Sequence, residues 1–394
     1  MHEFGVTSKK KYYVGVPVSN AVGKCEDYTA VYTNMDELPQ ISIGDRFITN
    51  DYEYKWDGTI WSVRVLDTNK TKYGELVSEI NGKPITTLNN TFQDCINMVE
   101  VPVIPETIIT MSSSFSGCTA LKSAPAIPDG VTTLDRTFEN CKSLTTAPEI
   151  PGNVTNMRYT FHNCSSLVVG PEIIPDGVTT MLGTFYGCVA LETTPTIPDS
   201  VTSMHSTFET CESLKVAPEI PDNVVNMQAT FTNCKSLIEA PEIPSDVTNL
   251  KYTFYGCNNM VTGPKILPDG ATVLDRTFMN CTSMVTGPQS IPDTVKDIPY
   301  TFYNCGVLTN APDISASSQI TSMYYTFYKC KTLSSAPVIP SRVTNVQGTF
   351  QECIGLTSLE VNSNPHTYTN FLKGSGITTI NGTTTIQDKL LATK

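Results

Sequence analysis

The sequence predicts a stacked-repeat solenoid, mostly β and loop with short helical turns, of about twelve coils of 23–25 residues behind a small all-β domain. Three observations carry this. Phe92, Phe115, Phe138, Phe161, Phe185, Phe208, Phe231, Phe254, Phe278, Phe302, Phe327 and Phe350 each have a cysteine three residues later. Twelve of the thirteen cysteines fall in that one register. The first 78 residues lack the repeat and hold both tryptophans.

The unit is clearest from Val131 to Pro151, after which Asn153-Val154-Thr155-Asn156-Met157 restarts it. One unit cannot bury its own apolar positions, so stacking turns each into a column. Phe138, Phe161, Phe185, Phe208 and Phe231 form one column, Cys141, Cys164, Cys188, Cys211 and Cys234 another, and Leu121, Leu144 and Leu167 a third. Boundaries follow: a β attachment domain at 1–78, the solenoid at 79–353, and a degenerate capping coil with tail at 354–394.

Thr-Phe-x-x-Cys-x-x-Leu followed by Ile-Pro-Asp-x-Val-Thr-x-Met resembles the BspA-like (Treponema pallidum type) leucine-rich repeats of bacterial surface proteins, over about residues 79–380. The resemblance implies a leucine-rich repeat solenoid used as a binding scaffold, and leaves the ligand open. The Ala-Pro-x-Ile-Pro tract departs from the family pattern. Proline cannot donate to a ladder, so ladder pairing should be interrupted near Pro125, Pro148, Pro195, Pro218 and Pro241.

Pro128-Asp129-Gly130, Pro175-Asp176-Gly177 and Pro268-Asp269-Gly270 mark one turn per coil, with glycine expected at positive φ. Their aspartates come singly, which disfavours calcium, a cation that needs six or more converging oxygens. Within the array no two cysteines are closer than 23 residues, and the chain has only four histidines, so no zinc site is expected. Side chains parallel in a column rarely meet disulfide torsions, and the cysteines read as small buried hydrophobes. Buried free thiols point to folding in a reducing compartment.

Residues 1–78 read as a β domain in which Tyr52, Tyr54 and Trp56 alternate, Asp57-Gly58 turns, and Trp61, Val63 and Val65 return. Asp36-Glu37-Leu38-Pro39, Ile43-Gly44-Asp45 and the segment from Tyr54 to Trp61 resemble a short module of bacteriophage tail and fibre proteins, with Trp56 and Trp61 as its attachment-domain aromatics. Lys9-Lys10-Lys11 leads only to Tyr12-Tyr13-Val14-Gly15-Val16-Pro17, too short an apolar run for a secretory signal. At the far end, Thr369 to Ile380 copies the coil with Gly374 where cysteine belongs, and Asn381 to Lys394 supplies a polar outer face but no anchoring tail.

Net charge is −12, without a basic cluster beyond three lysines, so nucleic acid is not expected as a partner. No run approaches the ~20 apolar residues of a membrane helix. No nucleophile elbow, phosphate loop or His-Glu-x-x-His is present, and His162 and His205 sit at variable positions. Glu149, Glu172, Glu219 and Glu242 share one coil position as an exposed column. No enzyme, metal or cofactor is expected.

Tyrosine recurs two residues before the repeat phenylalanine at Tyr159, Tyr252, Tyr300 and Tyr325, and one after it at Tyr186, Tyr255, Tyr303 and Tyr328. Tyr300, Tyr303, Tyr324, Tyr325 and Tyr328, from adjacent coils, and Tyr252 with Tyr255 are the candidate surface patch, suited to stacking on sugar rings or anchoring a protein. The function expected is a non-catalytic virion protein of a bacteriophage, a head or tail fibre or decoration. Residues 1–78 would bind other virion proteins, and the solenoid a host-surface glycan or protein. A homo-oligomer such as a trimer is compatible with this. The alternatives are a BspA-like cell-surface adhesin and, more remotely, a glycan-active enzyme.

Overall fold

The computed structural model describes residues 2–6 and 10–15 as backbone, together with 43–44, 46–80, 82–382 and 384–394. The chain forms two compact units, Met1–Val178 and Thr179–Lys394. Cys25, Asp45 and the Asp36 to Pro39 part of the phage-module resemblance lie outside the described residues.

The first unit opens with an antiparallel sheet in the order β1-β2-β3-β4-β5, formed by His2–Val6, Lys10–Gly15, Arg46–Ile48, Tyr52–Trp56 and Trp61–Val65. Alternation in β5 buries Trp61, Val63 and Val65 and exposes Ser62 and Arg64. The expected hairpin is present: Trp56 pairs with Trp61, and the Asp57 carboxylate accepts from the amides of Thr59 at 2.7 Å and Ile60 at 2.8 Å. Glu53, buried in β4, is matched by Arg46 and Arg64. A short hairpin, β6 (Glu79–Ile80) with β7 (Lys83–Pro84), follows.

The sheet is built onto the first coil, which corrects the expectation of a separate β domain. The Val65 amide donates to the Thr91 carbonyl at 3.3 Å, and the Thr91 hydroxyl to the Val63 carbonyl at 3.0 Å. Tyr52 and Tyr73 set their rings on Phe92 with centres 6.0 and 5.4 Å away. Trp56 and Trp61 are both buried and form the sheet's core, 5.3 Å apart.

Each coil is organised around its phenylalanine by an alternation of amide directions. The amides of Ser113, Phe115 and Gly117 donate to carbonyls of the next coil at 2.9, 2.9 and 2.7 Å, whereas those of Ser114, Ser116 and Cys118 donate back within their own coil. Reversing every second peptide places the residues two before and two after each phenylalanine at positive φ, as at Ser113 (54°) and Gly117 (78°). Continuous helix is incompatible with that pattern, so the short helical turns expected from sequence are replaced by i→i+3 turns. Among the described residues the one helix is α1, Thr384–Leu391.

The Thr-Phe-x-x-Cys motif acquires a mechanism here. Phenylalanine rings stack at 5.2–5.6 Å through Phe92, Phe115, Phe138 and Phe161. The buried hydroxyl preceding each ring donates to a carbonyl of the coil before it, as Thr137 does to Met111 at 2.8 Å. Thiols of the later coils do likewise, Cys118 donating to the Phe92 carbonyl at 3.1 Å and Cys141 to Phe115 at 3.2 Å. The cysteines are therefore donors as well as hydrophobes, the part that the sequence reading lacks.

The Pro-Asp-Gly turns also differ from expectation. The Val131 amide donates to the Pro128 carbonyl at 3.0 Å, so the turn closes as expected, but Gly130, Gly177 and Gly270 are not among the positive-φ residues. Gly177 instead makes room, because a Cβ there would meet the Thr155 methyl at 3.0 Å. Lone parallel bridges replace a broad sheet, and the line Ser123–Thr146–Val169 stops two residues short of Pro125, Pro148 and Pro171, as the proline argument requires.

The second unit repeats this construction from Phe185 to Phe350, with stacked rings 5.3–5.8 Å apart and nearly parallel. Short parallel pairs, β8 (Ser290–Ile291) with β9 (Asp313–Ile314) and β10 (Ser358–Glu360) with β11 (Thr379–Asn381), supplement the bridges.

The last coil is shifted by one residue from the sequence expectation. The Phe350 amide donates to the Phe371 carbonyl and that of Glu352 to Lys373, while positive φ falls at Asn370 and Gly374. Leu372 therefore occupies the phenylalanine column, Phe371 the place of the buried threonine, and Ser375 the cysteine position. The Phe371 ring meets Phe350 edge-on at 62°. Leu390 of α1 is fully buried, and the Leu372 amide donates to the Thr393 hydroxyl at 3.2 Å.

Candidate functional site, an aromatic edge on the second unit

The amide alternation decides which side chains reach the coil edge. Tyr300, Phe302 and Asn304 donate to the carbonyls of Tyr324, Thr326 and Tyr328, while Thr301, Tyr303 and Cys305 bond within their coil. Phe302, Cys305 and the Thr301 hydroxyl consequently face the core, and Tyr300 and Tyr303 lie half-buried at the edge. The next coil repeats this, so Tyr325 and Tyr328 come to lie beside them.

All five expected tyrosines meet. Tyr300 stacks on Tyr325 with ring centres 5.8 Å apart, and Tyr303 on Tyr328 at 4.6 Å. The rows are joined by Tyr300–Tyr303 at 5.8 Å and Tyr325–Tyr328 at 5.6 Å, and Tyr324 sets its edge against both Tyr300 (5.2 Å) and Tyr325 (4.8 Å). Tyr252 and Tyr255 form a separate T-shaped pair at 5.8 Å.

Charged residues that the sequence reading omits complete the edge. The Arg276 guanidinium lies 4.4 Å from the Tyr300 ring centre and 5.6 Å from that of Tyr252, and it pairs with Asp275 at 2.7 Å. Lys251 reaches Asp275 at 3.3 Å, Lys329 lies 5.1 Å from the Tyr328 ring centre, and the Tyr328 hydroxyl meets Glu352 at 3.1 Å. Their signal in the sequence is register: Arg276 shares the tyrosine position two before the repeat phenylalanine, and Lys329 and Glu352 the position two after it.

Backbone geometry fixes these side chains. Tyr252, Arg276, Tyr300 and Tyr325 have φ of 57°, 57°, 55° and 50°, a region bulky residues rarely enter, at a cost of roughly 1–3 kcal/mol each. At the same register Gly348 serves as a seat: a Cβ there would stand 2.5 Å from the Tyr325 ring. The stack thus runs Arg276, Tyr300, Tyr325, Gly348. Burial first, then Tyr324 beside it, pushes the Tyr300 phenol up to about 12, and burial followed by Tyr328 raises Tyr303, so both stay protonated donors at neutral pH.

The same register carries a smaller cluster in the first unit. Arg136 lies 4.4 Å from the Tyr159 ring centre, and His162 meets Glu139 at 3.3 Å. Burial chiefly lowers the His162 and His205 pKa values. Glu149, Glu172, Glu219 and Glu242 are exposed, as expected of a solvated column. Among the described residues no group of three or more His, Cys, Asp or Glu converges as a metal site, and no helix is long and apolar enough to cross a membrane. Open grooves of about 450 and 720 Å³ follow the proline tracts of the second unit, lined by Pro218 and Glu219 and by Pro241 and Pro264.

Coils closed by a Thr-Phe-x-x-Cys-x-x-Leu core and edged by variable residues define a leucine-rich repeat protein. More specifically, the chain belongs to the BspA-type leucine-rich repeat family: the model described as "BspA type Leucine rich repeat region (6 copies)" matches residues 85–215, 178–307 and 271–390. Solved structures with the same fold include a leucine-rich repeat protein from Bacteroides ovatus, 21% identical with a TM-score of 0.58, covering 83% of this chain and 91% of that one. A leucine-rich cell surface protein from Faecalibacterium prausnitzii is 18% identical, with a TM-score of 0.50 and coverage of 89% and 98%. The pneumococcal vaccine antigen PcpA is 14% identical, with a TM-score of 0.53 and coverage of 90% and 97%. No curated protein matches the chain in sequence. None of these matches points to a bacteriophage appendage.

Proposed function

We propose that the protein is a non-catalytic, adhesin-like scaffold displayed on a bacterial surface, which attaches to a partner macromolecule through the tyrosine edge of its second unit. Membership of the BspA-type family, and likeness to a leucine-rich cell surface protein of Faecalibacterium prausnitzii, support this reading over a virion role. The observation that carries it is the pre-packed cluster of Tyr300, Tyr303, Tyr324, Tyr325 and Tyr328 at variable repeat positions, with Tyr300 and Tyr325 held on strained backbone. Rigid aromatic anchors lose little entropy on binding, which is the property that makes a few residues dominate an interface.

The free thiols that suggest a reducing compartment are compatible with display outside the cell. Cys211, Cys234, Cys281, Cys305 and Cys330 are fully buried, each thiol is aimed at a backbone carbonyl, and burial raises each well above the ordinary thiol range.

The test is antibody labelling of intact producing cells, coupled to binding of the purified full chain to host cells. Surface labelling is expected, with attachment lost in Tyr303→Ala/Tyr328→Ala while circular dichroism is unchanged. Recovery of the chain at fixed copy number in phage particles, with unlabelled cells, would overturn the proposal in favour of the virion reading.

A further inference from the structure

We infer that the tyrosine edge takes an acidic segment of a partner protein rather than an uncharged glycan, an inference that rests on the site proposed above. Sugar recognition by tyrosine needs a free ring face, and the central faces here are occupied. Tyr300 is covered by Arg276 from one neighbouring coil and by Tyr325 from the other, and Tyr325 by Tyr300 and by the backbone at Gly348. Tyr303 and Tyr328 cover one another, with Lys329 near the Tyr328 ring. What Tyr300 and Tyr325 present at the centre of the patch is ring edges, the positive rim of the aromatic quadrupole, beside phenol hydroxyls that stay protonated.

Charge distribution selects the partner. The edge carries Lys251, Arg276 and Lys329 against Asp275 and Glu352, a net of +1 from 3 − 2, in a chain whose net charge is −12. The proline tracts of the same unit hold the opposite character, with Asp199, Glu219, Asp222, Glu242 and Asp269 lining their grooves and Lys265 the cation among them. At physiological ionic strength charges are screened over about 8 Å, so a carboxylate-bearing segment meets the local field of the edge and not the net charge of the chain. Tyrosine and arginine are also the side chains that concentrate binding energy at protein interfaces.

The test uses the full chain with immobilised poly-L-glutamate, alongside dextran as a neutral glycan and hyaluronate as a carboxylate-bearing glycan. Poly-L-glutamate is expected to bind in preference to both, and to weaken as sodium chloride is raised. Tyr303→Ala and Lys329→Glu should each lower its affinity roughly tenfold, whereas Lys265→Glu in the proline groove should not. Lys329→Glu suits the backbone, because Glu352 occupies the same register at the same φ of 62°. Dextran or hyaluronate bound as tightly as poly-L-glutamate, or poly-L-glutamate binding that ignores Lys329→Glu, would overturn the inference. If Tyr303→Ala/Tyr328→Ala abolishes cell attachment while the parent chain ignores poly-L-glutamate, the acidic partner is refuted and the site stands. Attachment unaffected by that double variant refutes the site itself.

Discussion

The two ends of the chain close the same kind of column by different means. At the N-terminal end, Tyr52 and Tyr73 lie against Phe92, the Val63 carbonyl takes the Thr91 hydroxyl, and the Tyr73 hydroxyl meets the Cys95 sulfur at 3.2 Å. The N-terminal segment thereby supplies a ring contact and a carbonyl acceptor where a preceding coil would, and gives Cys95 a hydroxyl donor in place of a carbonyl. At the C-terminal end the column narrows to Leu372, Phe371 turns edge-on to Phe350, and α1 covers the coil with Leu390. The first end must satisfy donors reaching backwards, and the second has only apolar surface and forward-pointing amides to cover. That polarity follows from the motif, in which the threonine and cysteine side chains of interior coils donate to the coil before, as Thr137 and Cys141 do.

Interior columns should therefore be costlier to damage than ends. Phe231→Ala is expected to destabilise the second unit by about 3–5 kcal/mol in chemical denaturation, because coils on both sides hold the cavity open. Leu372→Ala should cost about 2 kcal/mol, since the terminal coil can collapse around it. Equal losses would break the comparison between interior and end.

Gly348→Ala sharpens the account of the edge. A Cβ 2.5 Å from the Tyr325 ring, on backbone at φ 62°, should cost about 1–2 kcal/mol and shift tyrosine fluorescence, whereas Gly130→Ala should cost less. Tyr73→Phe removes the hydroxyl that meets both the Asp67 carbonyl and Cys95. A loss of about 1 kcal/mol is expected, below that of Phe231→Ala. Labelling with Ellman's reagent should leave the twelve array thiols unmodified in the folded chain and modify them all in guanidinium, which checks that burial and not compartment keeps them reduced.

The smallest effect concerns the β4–β5 hairpin. Hydrogen bonds from the Ile60 and Thr59 amides hold the exposed Asp57 carboxyl below its ordinary value. A depressed folded pKa contributes stability that is complete above the unfolded value and is lost as pH falls through the folded one. Fluorescence of Trp56 and Trp61 should report a slight acid loosening below about pH 4, absent in Asp57→Ala.

Much of this was legible in advance. The Phe, Cys and Leu columns, the Asp57-Gly58 hairpin and the ladder break before the prolines follow from periodicity and from what proline and glycine permit. The tyrosines could be gathered into one patch because repeats place equal positions side by side. Their orientation could not, since it depends on the positive φ two residues before each phenylalanine, where Tyr300, Arg276 and Ser113 give no glycine signal. Gly374 misled for the same reason: it marks the left-handed turn, not a vacant cysteine position, and so moved the last coil by one residue.

By itself, then, the sequence determined which residues are inside, because a repeating apolar position can be buried only by its own copies above and below. The tertiary structure alone decided what the outside offers: which ring faces are covered, which carbonyl each thiol meets, and where the sheet ends and the first coil begins. Those outcomes depend on how one coil's peptide planes and side chains lie across the next, a geometry no single repeat contains.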